Sequence, residues 1–141
     1  MHVKLVRTLV ADALASDEVA SGVREELARR GALEGGEGWP RIEVEVLRED
    51  ETSEGVAARA NRPIARATDV AVVARAWVVA APESSPQSDT GDVRAEDTIA
   101  VDTNEATGAE DPRASAFHRA DALNAAARRL GRELARRIAG P

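Results

Sequence analysis

Cysteine and tyrosine are missing from this 141-residue chain, which has one phenylalanine, two tryptophans and a single lysine, Lys4. Without thiols there are no disulfides, thiolate metal sites or cysteine nucleophiles. With aromatics at 2%, an aromatic-lined ligand pocket is not expected. His2 and His118 stand far apart, and neither has a second ligand at metal-binding spacing, so no metal or cofactor is expected. No apolar run approaches the ~20 residues that span a bilayer. The opening "MHVKLVRTLV" is too short and too charged for the apolar core of a signal peptide.

What is present is alanine, valine and arginine. The apolar share is 43%, enough for the core of one domain covering residues 1–141. That core must be built from small and β-branched side chains. The formal net charge is −6 and unevenly placed. From Glu83 to Asp111 there are nine acids against one base, Arg94. The stretch from Asp111 to Pro141 then carries seven arginines. An acidic balance with no interleaving of bases and aromatics argues against a nucleic-acid partner.

"VKLVRTLV", Val3 to Val10, is β-branched and predicts an opening strand. In "SDEVASGVREELARRG", Val19, Val23 and Leu27 recur every four residues and predict a helix. Ser16 would be its N-cap, with Asp17 and Glu18 in the first turn, Arg29 and Arg30 in the last, and Gly31 at C′. Gly22 is a liability inside it. "GALEGGEGWP" is read as a connector, because it has neither the strand and helix flanks nor the Gly-Lys-Ser/Thr ending of a phosphate loop. "RIEVEVLRED" alternates, with Ile42, Val44 and Val46 on one face and Glu43 and Glu45 on the other. "ETSEGVAARANRPIARA" holds Pro63 without a sustained period and predicts a loop or a ragged strand continuation.

Thr68 to Pro82 predicts a central strand, with Val70, Val72, Ala74, Ala76 and Val78 toward the helices and Arg75 and Trp77 on a partly covered second face. "PESSPQSDTGD" predicts a hairpin tip, and "VRAEDTIAVDTNEA" the strand after it. Asp111 and Pro112 open a last helix, whose stripe runs through Ala116, Ala120, Leu123, Ala127, Leu130, Leu134 and Ile138. The order is β-α-β-β-β-α. It predicts an α+β two-layer sandwich: a mostly antiparallel four-stranded sheet, its consecutive strands joined by hairpin-length loops, with two helices packed on one face.

No catalytic constellation stands out, and the chain is not expected to be an enzyme. His118 has Asp121 one helical turn away, a spacing typical of a surface contact. Glu49, Asp50 and Glu51 predict a solvated turn or, more sharply, a weak cation site. Asp89, Asp92, Glu96 and Asp97 lack the spacing and central glycine of a calcium loop. Trp39 and Trp77 are read as core or sheet-face anchors. Arg128, Arg129, Arg132, Arg136 and Arg137 predict a solvated helix face that complements the dipole, with an anion contact as the alternative.

Three stretches, "LASDEVASGVREELARRG", "IEVEVLRE" with the later "ATDVAVVARAWVVAAP", and "ADALNAAARRLGRELARRI", resemble the LPS-assembly lipoprotein LptE family in their order along the chain. The chain would be a divergent member, because the family's asparagine-threonine after the first strand is replaced by "VADALASDE" and its lipobox cysteine is absent. The resemblance implies a non-catalytic outer-membrane lipopolysaccharide-assembly protein facing the periplasm. Such a protein plugs and helps assemble the LptD β-barrel and engages lipopolysaccharide. Membrane association would come through a lipid anchor absent from this chain. Arg75 and Arg94, on strands, are the candidates for lipid-phosphate contact, since a guanidinium fork suits phosphate. The alternative is another cell-envelope α+β lipoprotein domain acting by protein contact, of the secretion or cell-wall-synthase activator type.

Overall fold

The structure, a computed structural model, describes residues 1–10, 13–59, 62–102 and 112–140. The predicted cap Asp111 and the part of the fourth strand beyond residue 102 lie outside these. The elements are β1 (His2–Thr8), α1 (Ala13–Arg29), β2 (Arg41–Arg59), β3 (Arg62–Val79), β4 (Val93–Asp102) and α2 (Pro112–Ala139). They form one four-stranded sheet in the order β1-β2-β3-β4. The expected β-α-β-β-β-α sandwich is therefore present.

The sheet is antiparallel at β2–β3 and β3–β4 and parallel at β1–β2. The sheet is thus mostly antiparallel, as expected, with one parallel pair at the first step. The connection there contains α1, which carries the chain back to the end where β1 began, so β2 must run alongside β1 in the same direction.

One local expectation changes. Helix α1 starts at Ala13, so Ser16 lies inside it; the Ser16 hydroxyl is buried and within 2.8 Å of Thr8 Oγ1, tying the helix to β1. Of the two readings of the stretch from Glu51, loop or ragged strand continuation, the structure has the second: β2 and β3 continue as one long hairpin across register shifts near Leu47 and Gly55. These bulges break the alternation that a strand would otherwise show in sequence. The predicted end of α1 is present. Gly31 has φ +67°, Ala32 N–H donates to Leu27 O (2.8 Å) and Gly31 N–H to Ala28 O (3.0 Å), a Schellman closure.

Both helices lie on one face of the sheet, α1 over β1 and β2, α2 over β3 and β4. Between the layers Val19, Val23 and Leu27 meet Ile42, Val44, Val46, Val70, Val72, Leu123, Leu130 and Leu134, all buried. The predicted stripe of α2 is buried only from Leu123 onward; Ala116 and Ala120 are exposed. The helices run side by side in the same sense, as the pairs Glu18–Arg128 and Glu26–Arg136 show. Because Ala13 lies alongside the middle of α2, the first turns of α2 overhang α1 and have no helix beside them.

At the crossing the backbones touch through Gly22 and Gly131. A Cβ on Gly22 would collide with Arg128 O, and one on Gly131 with Val19 O. Small residues are what allow two helices with short side chains to approach this closely.

Candidate interaction surface

The face of the sheet away from the helices carries side chains that β alternation brings together from distant parts of the chain. Glu43 accepts from Arg41 Nε (2.8 Å) and from Trp77 Nε1 (3.1 Å). The Arg41 guanidinium also stacks on Trp39, 3.8 Å from the ring centroid. Both tryptophans thus anchor the sheet face, as expected. One strand pair along, Glu45 is 6% exposed and is satisfied by Arg75, whose Nε donates at 2.7 Å. That hydrogen bond raises the Arg75 pKa above its usual value, with smaller help from Asp89 and Asp92. Beyond it Asp50 accepts from Arg94 Nη1 (2.8 Å) and Arg48 Nε (3.3 Å), while Glu96 accepts from Arg94 Nη2 (3.0 Å). Ala71 and Val73 are buried between these pairs, shielded by the aliphatic stems of the arginines.

Arg75 and Arg94 therefore share the face away from the helices. Each keeps 42–45% of its side chain exposed and directs donors to carboxylates of its own chain. Glu49, Asp50 and Glu51 lie in the middle of β2, so the turn expected there is corrected: the strand runs straight through, and Glu51 accepts from Arg119 (2.5 Å). The four acids Asp89, Asp92, Glu96 and Asp97 do not gather. Asp89 caps Gly91 N–H (2.8 Å), Glu96 faces Arg94, and Asp97 caps Thr98 N–H (3.0 Å). Among the described residues no group of three or more metal-ligating side chains comes together. His118 is exposed on α2 with its ring against Phe117, centroids 5.9 Å apart.

The arginines of α2 do not simply face water. Arg128 bonds Glu18 (2.7 Å), Arg132 bonds Glu25 (3.2 Å) and Arg136 reaches Glu26 (3.4 Å), joining α2 to α1; Arg129 joins it to Asp97 of β4 (3.4 Å). The anion they contact is their own chain. Glu26, 1% exposed, is the centre of this clamp. The Arg29 guanidinium, then Arg30 and Arg136, holds its carboxyl down to about 2, although burial pushes the other way. Sequence reasoning missed this group because it followed only the four-residue spacing of Val19, Val23 and Leu27, whereas Glu26, three residues past Val23, lies on the same helix face. The available signal was an arginine three and four residues further on.

No protein family matches the chain, and no curated protein matches it. Solved structures do. A minor lipoprotein from Acinetobacter baumannii superposes with TM-score 0.57 at 10% identity, over 97% of this chain and 89% of that one. An inferred lipoprotein from Caulobacter crescentus CB15 superposes with TM-score 0.52 at 13% identity, over 97% and 87%. Rare lipoprotein B from Shewanella oneidensis superposes less well, with TM-score 0.44 at 12% identity over 99% and 91%. The chain has the fold of the first two. None of its described helices is long and apolar enough to cross a membrane.

Proposed function

We propose that the chain is a non-catalytic cell-envelope domain that works by docking, with an outer-membrane β-barrel as its protein partner and lipopolysaccharide as its lipid. The observation that carries this is the fold: nearly the whole chain superposes on two lipoproteins. Among the described residues, no helix covers the other face of its sheet. That face carries two tryptophans and a row of arginine–carboxylate pairs, a chemistry suited to specific polar contact more than to a reaction. Arg75 and Arg94 are the groups on it proposed to meet lipid phosphates, by exchanging Glu45 and Asp50 for the ligand.

A second reading is favoured by the same pairs. Since both arginines already have carboxylate partners, the face also fits an envelope domain that contacts protein alone. Affinity purification from detergent-solubilised envelopes separates the readings. Co-purification of a large β-barrel protein with lipopolysaccharide, weakened for the lipid by Arg75→Ala with Arg94→Ala, supports the first. Recovery of a barrel-free envelope complex supports the second. Recovery of only soluble proteins overturns both.

A further inference from the structure

His2 opens β1 and stands in register beside Arg41, its backbone N–H donating to the Pro40 carbonyl (3.0 Å). Its ring meets the glycine-rich stretch of residues 34–38, and only 14% of the side chain is exposed. Nε2 lies 3.1 Å from Glu34 Oε2, and Nδ1 lies 3.3 Å from the Gly36 carbonyl. Gly38 is pressed so closely to the ring that a Cβ there would collide with it. Gly36 presents its carbonyl from φ +78°, a conformation that side chains resist. One imidazole is thus held at three points of one loop.

Both ring nitrogens therefore face acceptors, yet a neutral imidazole has a single N–H. Donated to Glu34, it leaves the Nδ1 lone pair against the Gly36 carbonyl. Donated to Gly36, it leaves the Nε2 lone pair against a carboxylate. A second proton gives each acceptor its own donor and sets a positive charge beside Glu34. The other charged groups around the ring do not cancel this preference. The Met1 amine is 3.6 Å from Glu34 and donates to Ala32 O (2.6 Å). Arg41, from β2, is committed to Glu43 and stacked on Trp39. Lys4 of β1 and Glu37 of the loop line the same small hollow and contribute one charge of each sign.

We infer that His2 is a proton-operated latch. Its second proton fastens the loop from Glu34 to Gly38 onto β1, and loss of that proton loosens the loop. The chain runs directly from Gly38 into Trp39 and Arg41, which stack on one another at the border of the sheet face away from the helices. Acidification through the ordinary imidazole range, about pH 6.5, therefore stiffens one border of that face. The latch depends on the ring and its loop alone, and it holds whether or not the face meets a barrel.

The test is amide hydrogen exchange on the full ¹⁵N-labelled chain at about pH 5.5 and about pH 7.5, either side of that range, with each rate compared with the intrinsic rate at the same pH. The Glu34 amide, which donates to Met1 O (2.9 Å), reports on the loop. Its protection should be about five- to tenfold greater at the lower pH, with that of Val72 and Leu130 in the core little changed. His2→Gln keeps a polar side chain but cannot take up the proton. It should abolish the difference, although His118 and the Met1 amine are left to titrate. Equal protection at both pH values, a change shared by the core amides, or a difference that survives His2→Gln overturns the inference. If His2→Gln does not fold, the comparison of Glu34 with the core amides in the unaltered chain decides alone.

Discussion

Replacing one oxygen by nitrogen in Glu26→Gln would leave Arg29, Arg30 and Arg136 converging on a neutral amide. Three guanidinium groups now share that one carboxylate, so the substitution removes the charge that holds them and leaves their mutual repulsion. The variant should fold with a lower midpoint in thermal denaturation. Its pH dependence follows from the sign of the shift. The Glu26 carboxyl is held at about 2 against an ordinary 4.5. Its contribution is therefore complete above the unfolded value and is lost as pH falls from about 4.5 toward 2. Thermal midpoints of the unaltered chain should drop across that window, and those of Glu26→Gln should change less. Parallel curves would show that Glu26 is not the group responsible. Single residues of this sort are hard to read in a sequence. Glu25 and Glu26 are adjacent acids on one helix, and only the position of α2 makes the second a buried hub and leaves the first at the surface.

The helix pair makes a sharper point about glycine. Inside a helix, Gly→Ala is ordinarily favourable by about 1 kcal/mol, and on propensity alone both Gly22 and Gly131 invite it. Here the added methyl group would meet backbone of the opposing helix, and backbone cannot rotate aside. Overpacking of this kind costs roughly 1–3 kcal/mol or more, so the steric term outweighs the propensity term. Gly22→Ala and Gly131→Ala are each expected to lower stability to chemical denaturation, and a gain in either would contradict the close crossing. The stripes Val19-Val23-Leu27 and Leu123-Leu130-Leu134 were readable because burial follows the 3.6-residue period. The glycine contact was not, since nothing in one helix says where the other will cross it. The same reason hid the exposure of Ala116 and Ala120: their spacing continues the stripe, but α2 outruns α1.

For the molecule as a unit, the number, kind and order of elements followed from local signals, whereas pairing direction and strand length followed from connections and bulges. The β1–α1–β2 crossover made one pair parallel. The shifts near Leu47 and Gly55 broke the alternation over half of the long hairpin, which left loop and ragged strand both open there. The core that results is small-residue packing with few large side chains, so the large ones carry a disproportionate share. Leu130→Ala, at a position with no exposed surface, should cost about 2–5 kcal/mol in a two-state unfolding measurement. A value near zero would mean that the layers are not closed over it. The clamp has a further geometric result. The Met1 amine donates to Ala32 O (2.6 Å) and Gly140 O accepts from Arg30 (2.8 Å), so residues 30–32, just past α1, fasten both the lead into β1 and the close of α2. One short turn is thereby a shared knot for stretches more than a hundred positions apart, and loosening it would be felt at both of them at once.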